Sequence, residues 1–219
     1  MTLYLASIVE GETETECVEP LLQRIWRELL SAPIRLQVLH PLTLDRGRAV
    51  STTKTDLADK IDEACLELLW RVRRDPIGKG LLLIMFDADK DCPAELGTRL
   101  LTAARTHRAD VDIVCVLPKK TFENWIVAGA STLAGVNGLP NPLPACDQYE
   151  DRSGAAWLDD QLRSVKQNRA YKKTIDAQVL VRRMNLQECR TNAPSFDKLC
   201  RDLEARLPPP PADVPAPGG

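Results

Sequence analysis

Apolar residues follow two rhythms along this chain. Short apolar runs at residues 3–9 (LYLASIV), 34–39, 81–86 and 111–117 predict strands. Between them, apolar positions recur every three or four residues, as the buried face of a helix requires. The first such stripe is Val18, Leu21, Leu22, Ile25, Trp26 and Leu29, and Thr13 with Glu16 fits a capping box in front of it. The second is Leu57, Ile61, Ala64, Leu68 and Val72, with Thr53 and Asp56 as its cap. A third helix opens at Pro93, a residue suited to a first helical turn, and carries Leu96, Leu100 and Ala104. A fourth begins near Thr121 or Phe122 and carries Trp125 and Ile126. Strand followed by helix, four times over, predicts a parallel α/β sheet. Runs that are continuous rather than alternating fit strands covered on both faces.

Beyond Ala134 the rhythm weakens. Residues 137–154 hold Pro140, Pro142 and Pro144 and read as a loop or lid. Helical segments are expected at about residues 155–167, 175–185 and 194–206, and the stretch from Leu207 is too rich in proline to build a core. The expected division is therefore 1–135 for an α/β domain, 136–206 for a loop and helical extension, and 207–219 for a disordered Pro-rich tail.

Composition changes this picture in three places. At 219 residues, 44% hydrophobic and 27% charged, the chain has the make-up of a soluble globular protein with a sizeable core. No run approaches the roughly 18 apolar residues a membrane span needs, and the first ten residues lack a basic leader, so a cytoplasmic protein is expected. Seven scattered cysteines without a CxxC pair point to buried thiols of a reducing compartment rather than a disulfide framework, and two distant histidines make a zinc site improbable. The net charge of −2 gives no overall nucleic-acid signature, but its distribution is uneven. Residues 1–91 hold 12 Lys and Arg against 16 Asp and Glu, a net of −4; residues 152–206 hold 12 against 7, a net of +5. The basic half could face phosphates, or it could be a solvated helical surface.

The chemistry concentrates in LLLIMFDADKDCP, residues 81–93, where an apolar strand runs straight into Asp87, Asp89 and Asp91. Three carboxylates in five positions repel one another unless a cation or a proton intervenes. A calcium loop starting at Asp87 would need Gly and Glu where Cys92 and Thr98 stand. A phosphatase of the Asp-x-Asp type usually carries that motif on its first strand, and here it follows the third. Neither a phosphate-binding GxxxxGK[ST] loop nor a GxSxG elbow occurs. In an open parallel sheet, ligands bind beyond the carboxyl ends of the strands. Glu10 ends the first strand and Glu14 lies in the helix turn behind it. In a 2-1-3-4 strand order, Glu10, Glu14, Asp87 and Asp89 would converge. Oxygen-only donors with open positions suit magnesium or manganese.

The paired segments IVEGETE (residues 8–14) and FDADKD (residues 86–91) resemble the Toprim domain shared by topoisomerases, primases and OLD-type nucleases. The form of the first segment is most similar to the OLD-like branch and to small stand-alone Toprim proteins of bacterial and phage-defence loci. KKTFENWIVAG (residues 119–129) adds the Glu and Trp such proteins often carry after the fourth strand. The resemblance covers residues 3 to about 130. It implies a Rossmann-like Toprim core with a four-stranded parallel sheet flanked by helices, and Mg2+- or Mn2+-dependent cleavage of nucleic-acid phosphodiesters. Topoisomerase and primase machinery would need further domains, which leaves a nuclease. Glu10, Glu14, Asp87 and Asp89 would hold one or two metals, with Asp91 as a further or outer ligand and Gly11 as an accessory. The alternative role for Glu10 is that of a general base.

A lysine is expected to stabilise the leaving oxygen or the phosphate, with Lys120 and Lys172 foremost and Lys90, Lys119 and Lys173 also open. Glu123 either reaches the metal site or simply favours a helix start. Trp125 is expected in the core rather than as a base-stacking platform. NRAYKKT (residues 168–174), with Arg169, Lys172 and Lys173 around Tyr171, is a phosphate-contact stretch alongside Lys119, or else an exposed helix start. The resemblance further implies DNA or RNA as substrate, a separate ABC- or AAA-type ATPase as partner, an antiviral defence role and a possible homodimer. The alternatives are a non-catalytic Toprim-fold binding or regulatory module and an Asp-x-Asp small-molecule phosphatase.

Overall fold

The computed structural model describes residues 1–51, 55–146, 152–165 and 169–209. Five strands form one wholly parallel sheet: β1 (Thr2–Val9), β2 (Arg35–Val38), β3 (Leu42–Thr43), β4 (Lys79–Met85) and β5 (Ile113–Val116). Their order is β2-β1-β4-β5, the arrangement that brings the first and third apolar runs side by side. The short β3 is an addition to the four expected strands. It continues where β2 stops, pairing Leu42 with Ile8 and Thr43 with Val9. Two residues carry too little apolar pattern to be legible in sequence.

The pleat sorts the core into two layers. Leu3, Leu5 and Val9 of β1 and Leu81, Leu83 and Met85 of β4 face one way, onto α1 (Glu12–Arg24) and the C-terminal helices. Ala6 and Ile8, with Leu82, Ile84 and Phe86, face the other, onto α3 (Asp56–Arg73) and α4 (Pro93–His107). Between β3 and α3 lies a single-turn helix, α2 (Arg46–Ala49). Each large aliphatic side chain buried in these layers contributes roughly 1.5–3 kcal/mol. The expected stripe of α3 is confirmed by the burial of Leu57, Ile61, Ala64 and Leu68.

Helix α5 (Glu123–Ala128) follows β5, and α6 (Gly154–Ser164), α7 (Lys173–Val181), α8 (Leu186–Asn192) and α9 (Pro194–Glu204) complete the chain. The expected helix at residues 175–185 corresponds to α7, which starts at Lys173 and stops at Val181, and α8 is an addition to the expected helices. Asn185 starts α8 by accepting the Glu188 N–H at 3.0 Å, a cap that ends the preceding helical run. Trp125 is in the core as expected: it is 1% exposed, stacks edge-on against Phe196 and donates from Nε1 to Ser195 Oγ at 2.8 Å. All seven cysteines are free thiols, five of them buried. Thr53, Asn168 and residues 210–219 of the expected tail lie outside the described residues.

Candidate acidic site at the strand ends

β1 and β4 run in register, Val9 beside Met85, so Glu10 and Asp87 leave the sheet together. The link is direct: Glu10 Oε2 accepts the Asp87 N–H at 3.3 Å. The two motif segments are therefore halves of one site, as their sequence positions required. Behind β1, the expected capping box at Thr13 and Glu16 is displaced by two residues. Gly11 is the N-cap, and Glu14 Oε2 accepts its N–H at 3.1 Å. Gly11 has extended backbone (φ −149°), so it serves through its N–H rather than through glycine's freedom.

Alternation then divides the acids. Asp87 falls on the α1 side of the sheet, among Glu14, Glu123 and Lys173, which are the charges that act on it together with Glu10. Glu14 is 8% exposed and Glu123 only 1%. Lys173 Nζ stands 3.8 Å from Glu123 Oε1. Within this inner group, Asp87 Oδ1 and Glu123 Oε1 are buried without a hydrogen-bond partner. Burial first, then the charges of Glu14, Glu123 and Glu10, push the Asp87 carboxyl up to about 9. Burial also raises Glu14 and Glu10, against the opposing backbone hydrogen bonds each accepts.

Asp89 and Asp91 form an outer group, both about half exposed. Arg46 of α2 binds them: Nη1 lies 3.5 Å from Asp89 Oδ2, while Nη2 bonds Asp91 and donates to the Ala88 carbonyl at 3.2 Å. The expected four-carboxylate convergence holds in part: Asp89 and Glu14 both act on Glu10, but Asp89 is also drawn to Arg46. Glu10, Glu14 and Asp87 come together, with Glu123 in place of a fully inward Asp89. Asp91 is an ion-pair partner of Arg46. Arg46 itself was missed, since DRGR reads in sequence as a polar loop; its only signal is two arginines preceding an acid-rich site.

The cations also divide. Lys173, not Lys172, approaches the acids. Lys172 is exposed at the N-cap of α7, with its backbone N–H given to Asp176 Oδ2 at 2.7 Å. Arg169 is committed inside the fold, to Asp176 at 2.8 Å and to the Asn137 carbonyl at 2.6 Å, which corrects its expected role on phosphate. Lys120 contributes its carbonyl, which accepts the Asp89 N–H at 3.0 Å. Both residues take left-handed backbone, φ 51° at Asp89 and 65° at Lys120, a conformation side-chain-bearing residues adopt at a cost. Lys119 lines a 410 Å³ cavity between α4 and α9, next to Cys92.

Glu123 owes its burial to its neighbours. Asn124 Oδ1 accepts from Thr121 and, at 2.9 Å, from the Gly154 N–H, which presses the start of α6 onto α5. A Cβ at Gly154 would stand 2.5 Å from the Asn124 nitrogen, so only glycine permits that approach. Tyr171 also reaches in. Its hydroxyl is buried without a partner, and Glu123 and Glu14 are among the charges acting on it. Sequence offers no sign of that placement.

The donor types suit a divalent cation: oxygen donors, crowded negative charge and, at Asp87 Oδ1, a buried oxygen with no partner. The ring is open, however. Among the described residues no three acidic, cysteine or histidine side chains are gathered closely enough to hold a metal.

Fold and site together define a Rossmann-like α/β protein with an acidic cluster at the carboxyl ends of its two central strands. Residues 9–204 match DUF4276, a domain of unknown function, and the chain belongs to that family. No curated protein matches it. Among solved structures, the C-terminal region of the Burkholderia pseudomallei OLD protein is similar at 15% identity and a TM-score of 0.39, over 92% of this chain and 97% of that one. That likeness is too distant to carry an argument. Among the described residues no helix is long and apolar enough to cross a membrane.

Proposed function

We propose that the chain is a Toprim-like nuclease that uses Mg2+ or Mn2+ to hydrolyse nucleic-acid phosphodiesters. One observation carries the reading: Asp87 buries an unpartnered carboxylate oxygen among the charges of Glu10, Glu14 and the buried Glu123, where a cation would relieve the repulsion. Glu10, Glu14, Asp87 and Glu123 would hold the metal, and Asp89 would join on leaving Arg46. The bound metal would supply an activated water and charge stabilisation at the phosphate. Glu10, tied to the Asp87 N–H, keeps the two strand ends in register. Lys173 holds Glu123 and offers an ammonium to a phosphate oxygen. Lys119 and Lys172 would contact the nucleic-acid backbone, with DNA and RNA both within this chemistry. A separate ATPase partner, a role in phage defence and a cytoplasmic location complete the proposal.

The test is incubation of the purified protein with plasmid DNA and with RNA, plus Mg2+ or Mn2+. Cleavage is expected from wild type and its loss, by more than about 100-fold, from Asp87→Ala. Equal behaviour of the two, with and without an ATPase partner, would leave a non-catalytic module as the reading.

A further inference from the structure

Helix α3 buries one face and exposes another of unusual order. Asp59, Glu63, Leu66, Trp70, Arg73 and, just past the helix, Ile77 are all exposed and fall four, three, four, three and four residues apart. That spacing is one stripe along the helix. The large apolar members are well out of the core: Leu66 is 75% exposed, Trp70 46% and Ile77 63%. Within the helix the stripe reads acid, acid, apolar, apolar, base, and the apolar Ile77 follows beyond its end. Around Trp70 a 440 Å³ groove is lined by Leu66, Leu69, Arg73, Arg74 and Arg108, and the Arg74 guanidinium lies 3.7 Å over the indole.

We infer that a second copy of this chain docks on this stripe, with the two α3 helices antiparallel across a two-fold axis. In that arrangement Leu66 of each copy meets Trp70 of the other, and Glu63 meets Arg73. Each contact occurs twice, as a self-complementary interface requires. The order from Glu63 to Arg73 is what selects a second copy: acid, apolar, apolar, base complements its own reverse. An exposed Trp flanked by Arg is the composition of an interface centre. The alternative route to a dimer, pairing of sheet edges, is blocked at β5. There the Ile113 and Cys115 carbonyls are taken by Arg105 and Lys198, each at 3.0 Å. Helix α3 is about 27 Å long, so the contact is modest and the dimer concentration-dependent. Glu63 already pairs with Lys60 on its own helix at 2.6 Å, which softens the effect of any one charge.

Sedimentation equilibrium of the full chain over a concentration series tests the inference, with circular dichroism to verify folding. Wild type is expected to dimerise, and Leu66→Asp to raise the dissociation constant by at least about tenfold. Glu63→Arg and Arg73→Glu should each weaken the dimer, and the two together should restore it, since each swapped charge again meets its opposite. A monomeric wild type, unchanged single variants, or a folded double variant that fails to recover would each overturn the inference.

Discussion

Two carboxylates with buried oxygens, Asp176 and Asp87, live in opposite circumstances. Asp176, 2% exposed at the start of α7, accepts from Arg169 at 2.8 Å, from Asn137 Nδ2 at 2.8 Å and from the Lys172 N–H at 2.7 Å. Burial alone would raise it, but those three donors outweigh burial and hold it below the usual carboxylate range. Asp87 has the reverse balance: burial and three neighbouring acids, one oxygen with no donor, and a carboxyl pushed up to about 9. Both hide carboxylate oxygen from water, Asp176 wholly and Asp87 at Oδ1, so burial alone does not mark a site. Satisfaction does. Asp176 is a tie between α7 and the loop carrying Asn137, while Asp87 is left open for something the fold does not supply.

The largest effect on folding should come from breaking the satisfied acid. Asp176→Asn removes the charge that three donors were arranged for and strands Arg169, at a cost of about 3 kcal/mol, read by urea denaturation. The same pair has a pH signature. Asp176 is depressed in the folded state, so its contribution is present above about pH 4 and lost as pH falls through its folded value.

Asp87→Asn should act in the other direction. In metal-free protein the folded state keeps a proton on Asp87 that the unfolded chain gives up above its ordinary value of 3.8. Stability from this group therefore falls as pH climbs from about 4 towards 9, and the asparagine variant should remove that slope. At pH 8 the variant should be more stable than wild type by about 1–2 kcal/mol, measured by thermal denaturation in the presence of a chelator.

The smallest effect belongs to the outer group. Arg46→Ala frees Asp89 and Asp91, both half exposed, and should cost at most about 1 kcal/mol. A larger loss of stability would mean that Arg46 and not the inner acids organises the strand ends.

The fold was legible because its signals are local. Apolar runs and three-four stripes need no distant partner to be recognised, and the placement of Glu10 beside Asp87 follows once strand order is granted. The division of the acids was not legible. It depends on the pleat, which turns Asp87 towards α1 and leaves Asp89 beyond the strand end in left-handed backbone. The choice of Lys173 over Lys172 depends on where α7 begins, one residue after Lys172. Arg46 depends on the two-residue β3 that carries α2 over the site. Glu123 had two readings in sequence, and its burial follows from a contact with Gly154 thirty-one residues on, which no local pattern announces.

Calorimetric titration of the metal-free protein with Mn2+ at pH 7, wild type against Asp87→Asn, measures the central claim most directly. Saturable binding by wild type, with protons released from Asp87 on uptake and affinity rising towards pH 9, is the expected result, and the variant should lose most of that heat. Identical titrations for the two proteins, or no saturable heat from either, would contradict the account.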